Sequence, residues 1–291
     1  MMPKRCLLLI TIMLLLQMPR ITSFLSSRIL CIKKRSSARP LRAPSSVATS
    51  YSKYTKTLFD LHLPEGRCVG LELPEDDEDA ALEGWSDASH WVHECLHPAE
   101  VHYGQQQPRA NRKSFLLGRL AMRASLDLEH PCLKDEYGRP ILPSSHLGSI
   151  SHKGNVGVAL TSPSSPMMGI GIDIERHTSR RRSIAPRILT EREIQSLGQL
   201  ETVSVDEEVL LRFSLKEAIY KAVNPLINQY VSFQEAEVTP LEDGTAICVW
   251  NLKSGAHTHF SSLTAHWYKL DDFFLTTARC TLLPSDDERS L

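Results

Sequence analysis

The chain has 291 residues, of which 42% are hydrophobic and 23% are charged, and this composition is typical of a globular protein with one large or two small domains. Its formal net charge of -1 hides an uneven distribution, because residues 1–59 hold 11 basic and no acidic side chains, whereas the rest hold 22 basic and 34 acidic ones. Beyond residue 52 the cysteines are widely and irregularly spaced without a CxxC pair: Cys68, Cys95, Cys132, Cys248 and Cys280. This pattern argues against a zinc ribbon and a disulfide scaffold, and so against a secreted mature protein.

Residues 1–52 have the composition of a targeting presequence. Lys4 and Arg5 precede an apolar run at residues 6–16, which fits a signal peptide and is too short to span a bilayer as a stable helix. A stretch rich in Ser and Arg follows at residues 24–52 and is too poor in apolar side chains to fold alone. This order resembles the bipartite presequences of algal secondary plastids. We therefore expect a disordered leader, plastid import and no membrane attachment after processing; the alternative is a plain secretory signal followed by a disordered linker.

Residues 53–166 predict an N-terminal subdomain that combines helix and strand. Apolar residues recur at helical spacing from Ser114 to Leu128, and Arg123 is interpreted as a residue on the exposed surface of that helix. Further along the chain, Lys153–Asn155 is the predicted turn of a hairpin between strands at residues 149–152 and 156–160.

Residues 167–283 predict a C-terminal subdomain of the same α+β class. Met168–Glu175 alternates as a strand, and Thr190 with Glu193 forms a capping-box pattern that opens a helix to Leu200. A second helix is predicted over Glu207–Val223, ended by the following Asn-Pro pair. Four later segments alternate as antiparallel strands, at 231–238, 246–251, 263–270 and 273–282. The polar tail, residues 284–291, is expected to be disordered.

Two acidic residues lie on one face of the strand at Met168–Glu175. Successive side chains of a strand point to opposite faces, so Asp173 and Glu175 share one side while the isoleucines between them share the other. The two carboxylates are then about 7 Å apart along the chain. Oxygen ligands without His or thiolate suit Mg²⁺. The alternative is that both acids simply face solvent on an amphipathic strand.

Glu217 and Lys221 stand four residues apart on the strongest predicted helix and therefore share a face. This spacing permits two interpretations. The pair is either a surface ion pair of small energetic value, or a third carboxylate for a metal together with a cation for phosphate.

Four motifs in register resemble the surfactin- and enterobactin-synthase type 4'-phosphopantetheinyl transferases: GRPILP (138–143), SISHKG (149–154), GIGIDIE (169–175) and FSLKEAIYKA (213–222). The segment SFLLGRLAMRASL (114–126) also looks like the arginine-bearing helix of the enterobactin branch, and the resemblance spans about residues 96–223. It implies two similar α+β subdomains related by a pseudo-twofold, with the active site between them. The implied reaction moves 4'-phosphopantetheine from coenzyme A to a serine of an apo acyl or peptidyl carrier protein and releases adenosine 3',5'-bisphosphate.

The resemblance also implies roles for individual residues. Asp173, Glu175 and Glu217 would hold Mg²⁺, and Lys221 and His152, with Ser151 beside it, would contact the coenzyme A phosphates. Five basic residues would meet the nucleotide: Arg109, Arg112, Lys113, Arg119 and Arg139.

Glu193 matches the family glutamate that acts as the general base or supports the metal, although its position in the capping box is a sufficient alternative explanation. Lys153 departs from the family pattern, in which short polar residues are commoner. The partner would be an acidic carrier protein docking near Arg180–Arg182 and Arg187. We expect a monomer that does not bind nucleic acid.

Two other functions remain open at this point. His93-Glu94-x-x-His97 matches the zinc hydrolase pattern, although Pro98 stops a helix at the second histidine. A second possibility is a non-catalytic module that binds coenzyme A or a carrier protein. Three retained acids argue against that module, because binding anionic phosphates alone would not need them.

Overall fold

The computed structural model describes residues 51–74, 90–177 and 184–284, which belong to one unit of residues 42–291. Three predicted features lie outside the described residues: the leader up to residue 50, the docking surface at Arg180–Arg182, and the tail from residue 285. Plastid targeting and the subdomain limits therefore stay predictions. Within the described ranges, no helix is long and apolar enough to cross a membrane.

The N-terminal half is a four-stranded antiparallel sheet covered by a long helix. The strands are β1 (Lys56–Leu63), β2 (Gly66–Glu72), β3 (His146–Lys153) and β4 (Val156–Pro163), in the order β1-β2-β4-β3. Among the residues that the structure describes before the predicted hairpin, the α-helices are α1 (His90–Cys95), α2 (Pro98–Gln106) and α3 (Arg109–Ser125). The α3 helix packs on β2 and β4 because its apolar face, including Leu116 and Leu120, is fully buried.

The structure changes two expectations about α3. The helix begins at Arg109 rather than Ser114. The sequence did not reveal this earlier start, because the first turn is polar and shows no apolar periodicity. Arg123 is not on the surface, since it is only 8% exposed and its guanidinium donates to Glu100 Oε2 at 2.9 Å and to the Leu128 carbonyl at 2.8 Å. The expectation of a surface residue was wrong because α2 and the chain after α3 cover that face of the helix.

The C-terminal half repeats this arrangement of a long helix on an antiparallel sheet, so the α+β class is confirmed. Its strands are β5 (Met168–Arg176), β6 (Ala236–Pro240), β7 (Ala246–Trp250), β8 (Phe260–Lys269) and β9 (Phe273–Leu282). They form a three-stranded sheet in the order β5-β9-β8 and a separate β6-β7 pair. The helices are α4 (Ala185–Ile188), α5 (Glu191–Gln195) and α6 (Val205–Ile227), and α6 packs on β5 and β9.

Glycines explain how closely α6 approaches β5. A Cβ added at Gly171 would lie 1.9 Å from the Ala218 carbonyl oxygen, and one at Gly169 would lie 2.0 Å from that of Ala222. Only glycine leaves room for a helix backbone at this distance. Because Asp173 and Glu175 follow on the same face of the strand, both acids point toward α6.

Three predicted boundaries in this half were wrong. The α5 helix stops at Gln195 rather than Leu200, and residues before Ala236 form a 3₁₀ turn rather than a strand. The α6 helix runs through Pro225 to Ile227 and ends at Asn228 in the left-handed conformation, with φ 49°. A proline in the last turn of a helix removes a single backbone donor there, and the preceding turns of α6 stay packed on the sheet.

Candidate active site

Asp173 is the centre of a polar cluster between β3, β5 and α6. Its Oδ1 accepts hydrogen bonds from Ser151 Oγ at 2.7 Å and from Lys221 Nζ at 2.9 Å, and its Oδ2 accepts one from Ser214 Oγ at 2.8 Å. The residue is 6% exposed. Ser151 comes from the N-terminal half and the other three residues from the C-terminal half, so the cluster lies where the two halves meet. The interpretation of Asp173 and Glu175 as solvent-facing acids is wrong, because both are buried.

Glu217 faces the same cluster from α6. Desolvation raises the pKa of its carboxyl group, and the negative charges of Asp173 and Glu175 act in the same direction, while Lys221 opposes them. A cavity of about 170 Å³ borders Glu217 and is lined by apolar and aromatic side chains, among them Tyr220, Tyr230 and Trp250. Glu217 is therefore electrostatically coupled to the other two acids and also borders a cavity.

Glu175 forms an ion pair with a lysine from the β3–β4 turn. Lys153 Nζ lies 2.5 Å from Glu175 Oε2, with 24% of the lysine side chain exposed. Lys221, with 27% of its side chain exposed, stands in the same relation to Asp173. Two partly exposed ammonium groups thus neutralise the two strand acids.

The three predicted metal ligands approach one another but do not form a metal site as the side chains stand. Across residues 51–74, 90–177 and 184–284, no group of three or more Asp, Glu, His or Cys side chains is gathered closely enough to hold an ion. Lysine ammonium groups stand beside Asp173 and Glu175 instead. The donor chemistry still fits Mg²⁺, because the ligands would all be carboxylate oxygens and both lysines reach solvent and can turn away.

His152 lies beside the cluster at the end of β3, next to the turn. Although its side chain reaches solvent, desolvation by the surrounding protein, followed by the charge of Lys221, lowers the pKa of its imidazole. A neutral imidazole can still donate one N–H to a phosphate oxygen. Its neighbour Ser151 has its hydroxyl directed at Asp173, so that group is part of the cluster itself.

Arg139 links the two halves close to α6. Its Nε donates to Asp135 Oδ2 at 2.6 Å, one terminal nitrogen donates to Asn228 Oδ1 at 3.1 Å, and the guanidinium lies over the Tyr137 ring. The arginine is half-buried and part of it faces solvent. This position, beside the end of α6, is compatible with an anionic ligand at the junction.

The other predicted nucleotide residues all lie on α3. Arg109 is exposed, and half-buried Arg112 donates to the carbonyls of Gln105 and Gln107. Lys113 is also half-buried. Arg119 is different because it is 3% exposed, and its guanidinium donates to the Cys132 carbonyl at 2.7 Å and the Leu133 carbonyl at 3.0 Å.

The structure does not favour the expected nucleotide contact of Arg119. Desolvation lowers the pKa of this guanidinium, whose hydrogen bonds hold the chain that follows α3 against the helix. The residue is therefore a structural arginine of the N-terminal half. Helical spacing alone did not reveal this, because the covering segment comes from further along the chain.

Glu193 is enclosed by protein donors. Its Oε2 accepts from Lys216 Nζ at 2.6 Å and from the Thr190 backbone N–H at 2.7 Å, and its Oε1 accepts from the Val238 N–H at 2.7 Å. The capping box with Thr190 is formed, and Glu193 is 2% exposed. The structure thus favours the capping interpretation over the role of general base.

The zinc hydrolase alternative fails on geometry. Its motif is divided between two helices, since α1 ends at Cys95 and His97 is the N-cap of α2. His97 Nδ1 accepts from the Ala99 N–H at 3.1 Å, and the His97 backbone N–H donates to Glu100 Oε2 at 2.9 Å. The two histidines therefore do not lie on successive turns of one helix, as that metal-binding pattern requires.

Sequence reasoning missed Ser214 and Thr276. Ser214 lies within the FSLKEAIYKA motif, three residues before Glu217, and its spacing could have placed it on the same helix face. Nothing in the sequence indicated a role for Thr276. It lies on β9, and its position opposite Asp173 is defined by the pairing of β5 with β9 in the folded sheet.

Comparison with known proteins agrees with this geometry. The 4'-phosphopantetheinyl transferase superfamily matches residues 169–278, and the 4'-phosphopantetheinyl transferase N-terminal domain matches residues 100–162. The chain is 36% identical over 101 residues to the holo-acyl-carrier-protein synthase of Bacillus mycoides, an alignment that covers 33% of this chain and 85% of that protein. The chain belongs to the 4'-phosphopantetheinyl transferase superfamily.

Other relatives extend the match over more of this transferase. The 4'-phosphopantetheinyl transferase Npt of Nocardia iowensis is 29% identical over 195 residues, which are 62% of this chain and 87% of Npt. A solved holo-acyl-carrier-protein synthase from Bacillus anthracis, in complex with CoA (3',5'-ADP), covers 40% of this chain and 99% of its own at 27% identity, with a TM-score of 0.33. The superfamily match together with the Npt and Bacillus mycoides relatives identifies the chain as an enzyme of the 4'-phosphopantetheinyl transferase class. The matched residues include Asp173, Glu175, Glu217 and Lys221.

Proposed function

We propose that this transferase moves 4'-phosphopantetheine from coenzyme A to a serine of an apo carrier protein in a Mg²⁺-dependent reaction that releases adenosine 3',5'-bisphosphate. The observation that carries the proposal is the meeting of Asp173, Lys221 and Glu217 at the contact between β5 and α6. An acidic cluster accompanied by a lysine suits a diphosphate that arrives with a divalent cation.

The proposed metal ligands are Asp173, Glu175 and Glu217. These three carboxylates would hold Mg²⁺, and the chemistry that the ion would supply there is positive charge against the negative charge that develops as the phosphorus–oxygen bond breaks. The residues around these ligands supply the remaining functions, which are to hold the phosphates in line and to keep the carboxylates oriented.

Lys221 and His152 are proposed to bind the phosphates. Lys221 Nζ now donates to Asp173 Oδ1 and to the Ile172 carbonyl, and its partly exposed ammonium can transfer a hydrogen bond to a phosphate oxygen without leaving the site. His152 has a lowered pKa and would donate as a neutral imidazole. Arg139, which contacts Asn228 at the end of α6, is proposed to meet the nucleotide, with Arg109 and Lys113 as weaker candidates on α3.

The test is a transfer reaction followed by mass spectrometry of the carrier. The protein is incubated with coenzyme A and an apo acyl carrier protein, with Mg²⁺ in one arm and excess EDTA in another. The expected result is a carrier heavier by one phosphopantetheine group with Mg²⁺ and no change with EDTA. A carrier whose acceptor serine is replaced by alanine is the control and should stay unmodified.

Two outcomes would contradict the proposal. Transfer that proceeds equally in EDTA would remove the metal from the mechanism. Binding of coenzyme A and carrier without transfer, repeated over several apo carriers, would favour a non-catalytic binding module instead.

A further inference from the structure

Asp173 has a donor on its Oδ2 that no role proposed so far uses. Ser214 Oγ lies 2.8 Å from Asp173 Oδ2 and 2.9 Å from Thr276 Oγ1, and Thr276 Oγ1 also lies 2.9 Å from the Ser214 carbonyl oxygen. Ser214 and Thr276 are each 0% exposed. This chain of hydroxyls therefore connects β9 through α6 to the carboxylate on β5 without contact with solvent.

Counting protons sets the direction of the chain. The Ser214 hydroxyl donates to Asp173 Oδ2, and this bond uses its single hydroxyl proton. The hydroxyl proton of Thr276 is then the one directed at Ser214, toward either its Oγ or its carbonyl oxygen. Thr276 holds Ser214, and Ser214 in turn holds Asp173.

The position of Ser214 on α6 gives this bond a wider consequence. Glu217 and Lys221 follow Ser214 by three and seven residues, so all three side chains lie along one face of the helix. Gly171 lets the helix backbone touch β5 at this level, with no side chain between them. A bond from Ser214 to Asp173 consequently sets the rotation of the face that carries Glu217 relative to the strand that carries Asp173.

We infer that Ser214 is a positioning residue, supported by Thr276, which fixes the Asp173 carboxylate and the facing surface of α6 in the arrangement that a divalent cation and a diphosphate require. The inference rests on the proposed function. Groups that hydrogen-bond a metal-binding carboxylate orient it, and their loss typically weakens metal affinity or activity by about 10- to 100-fold.

The experiment measures Mg²⁺ binding directly. Mg²⁺ is titrated into the protein saturated with coenzyme A, by calorimetry, for the wild type, Ser214→Ala, Ser214→Thr and Thr276→Val. We expect Ser214→Ala to weaken the affinity for Mg²⁺ by about 10- to 100-fold and Thr276→Val to weaken it less. Ser214→Thr keeps the hydroxyl group and should recover most of the affinity. The half-saturating Mg²⁺ concentration of the transfer reaction should rise in the same order.

A matched control separates positioning from general packing. Ser125 is also a buried helix serine, 4% exposed, with its hydroxyl donating to the Met122 carbonyl at 2.9 Å on α3. Ser125→Ala should lower the thermal midpoint without changing Mg²⁺ affinity. The inference is overturned if Ser214→Ala binds Mg²⁺ as the wild type does, or if Ser125→Ala loses equal affinity. Should Ser214→Ala not fold, the nearly isosteric Thr276→Val decides by the same criterion.

Failure of this inference differs from failure of the proposed function. A wild-type protein that neither binds Mg²⁺ with coenzyme A nor transfers the arm contradicts the proposed function itself. An active, Mg²⁺-dependent wild type with unaltered Ser214→Ala and Thr276→Val contradicts only the positioning role.

Discussion

Two lysines of the same helix pair with carboxylates in opposite ways. Lys216 and Lys221 are five residues apart on α6, and each lies within 3 Å of an acid, Glu193 at 2.6 Å and Asp173 at 2.9 Å. In the first pair both side chains are 2% exposed, whereas 27% of the Lys221 side chain reaches solvent. Each pair joins a lysine ammonium to a carboxylate, and the main difference between the two pairs is their exposure to solvent.

The Lys216–Glu193 pair is closed. The Lys216 ammonium spends its three N–H donors on Glu193 and on the carbonyls of Ile188 and Phe233, and both Glu193 oxygens accept bonds from protein groups. Desolvation lowers the pKa of Lys216, and the charge of Glu193 opposes that shift. Removing either partner would leave a buried charge unpaired. The pair is therefore a structural contact that holds α5, α6 and β6 together.

The Lys221–Asp173 pair is open. Among the described residues Lys221 has two hydrogen-bond acceptors for its three N–H donors, the Ile172 carbonyl and Asp173 Oδ1. Lys153 beside Glu175 is similarly part-exposed. An ion pair that water reaches costs little to separate, so these lysines can release the acids to another cation. The comparison shows that burial separates an ion pair sealed inside the protein from one that solvent reaches.

The largest expected effect is the loss of stability when the Lys216–Glu193 pair is broken. Glu193→Ala leaves the Lys216 ammonium buried without its counter-charge, and we expect it to lower the free energy of unfolding by about 3–5 kcal/mol, measured by urea denaturation. The rate of transfer per folded molecule should be retained. Glu191→Ala, at the exposed neighbouring position, is the control and should cost far less stability. A stable Glu193→Ala protein without activity would instead restore Glu193 as the general base.

The next largest effect is the loss of transfer activity when the charge of Asp173 is removed. Asp173→Asn keeps the size of the side chain and removes its charge, and we expect the transfer rate to fall by about 10²–10³-fold while the fold is retained. Activity is followed by carrier mass and folding by thermal denaturation. Asp60→Asn removes a carboxylate paired with Arg67 at 2.8 Å on the surface and should leave transfer unchanged. Full activity of Asp173→Asn would contradict the proposed site.

The smallest expected effect concerns the ion pair between Lys153 and Glu175. Lys153→Ser frees Glu175 from its ammonium partner, and we expect the half-saturating Mg²⁺ concentration to fall by roughly 2- to 5-fold, the range that a part-exposed ion pair of up to about 1 kcal/mol allows. The control is Lys56→Ser, which removes a lysine that is 3.5 Å from Glu72 and 71% exposed. A higher Mg²⁺ requirement in Lys153→Ser would show that Lys153 assists the phosphates rather than competing for Glu175.

Local patterns predicted the elements whose character depends on neighbouring residues. The alternation of β5, the β3–β4 hairpin and the core of α6 were predicted because strand and helix periodicity is set by side-chain direction along one segment. The acid-bearing face of β5 was predicted for the same reason. That face was not expected to lie against a helix, since the alternation of a strand does not say what covers each side.

Predictions failed where a distant segment decides the environment. Arg119 and Arg123 carry the signature of a helix surface, yet carbonyls from residues 128–133 and the Glu100 carboxylate enclose them. The sequence left two interpretations of Glu193, a helix cap or a catalytic base. The ion pair with Lys216, 23 residues away in the chain, favours the cap because it encloses the carboxylate.

Runs of neighbouring residues were enough to predict the α+β class, the acid-bearing strand of GIGIDIE and the helix that carries Glu217 and Lys221. The order of four such motifs along the chain indicated the transferase superfamily. The folded structure was needed to show that Glu193 is sealed by protein donors while Asp173 pairs with a part-exposed lysine, and that Ser214 and Thr276 lie beside Asp173. The physical reason is that desolvation and hydrogen-bond partners depend on all elements packed around a group, and β3, β5, β9 and α6 meet only when the chain folds.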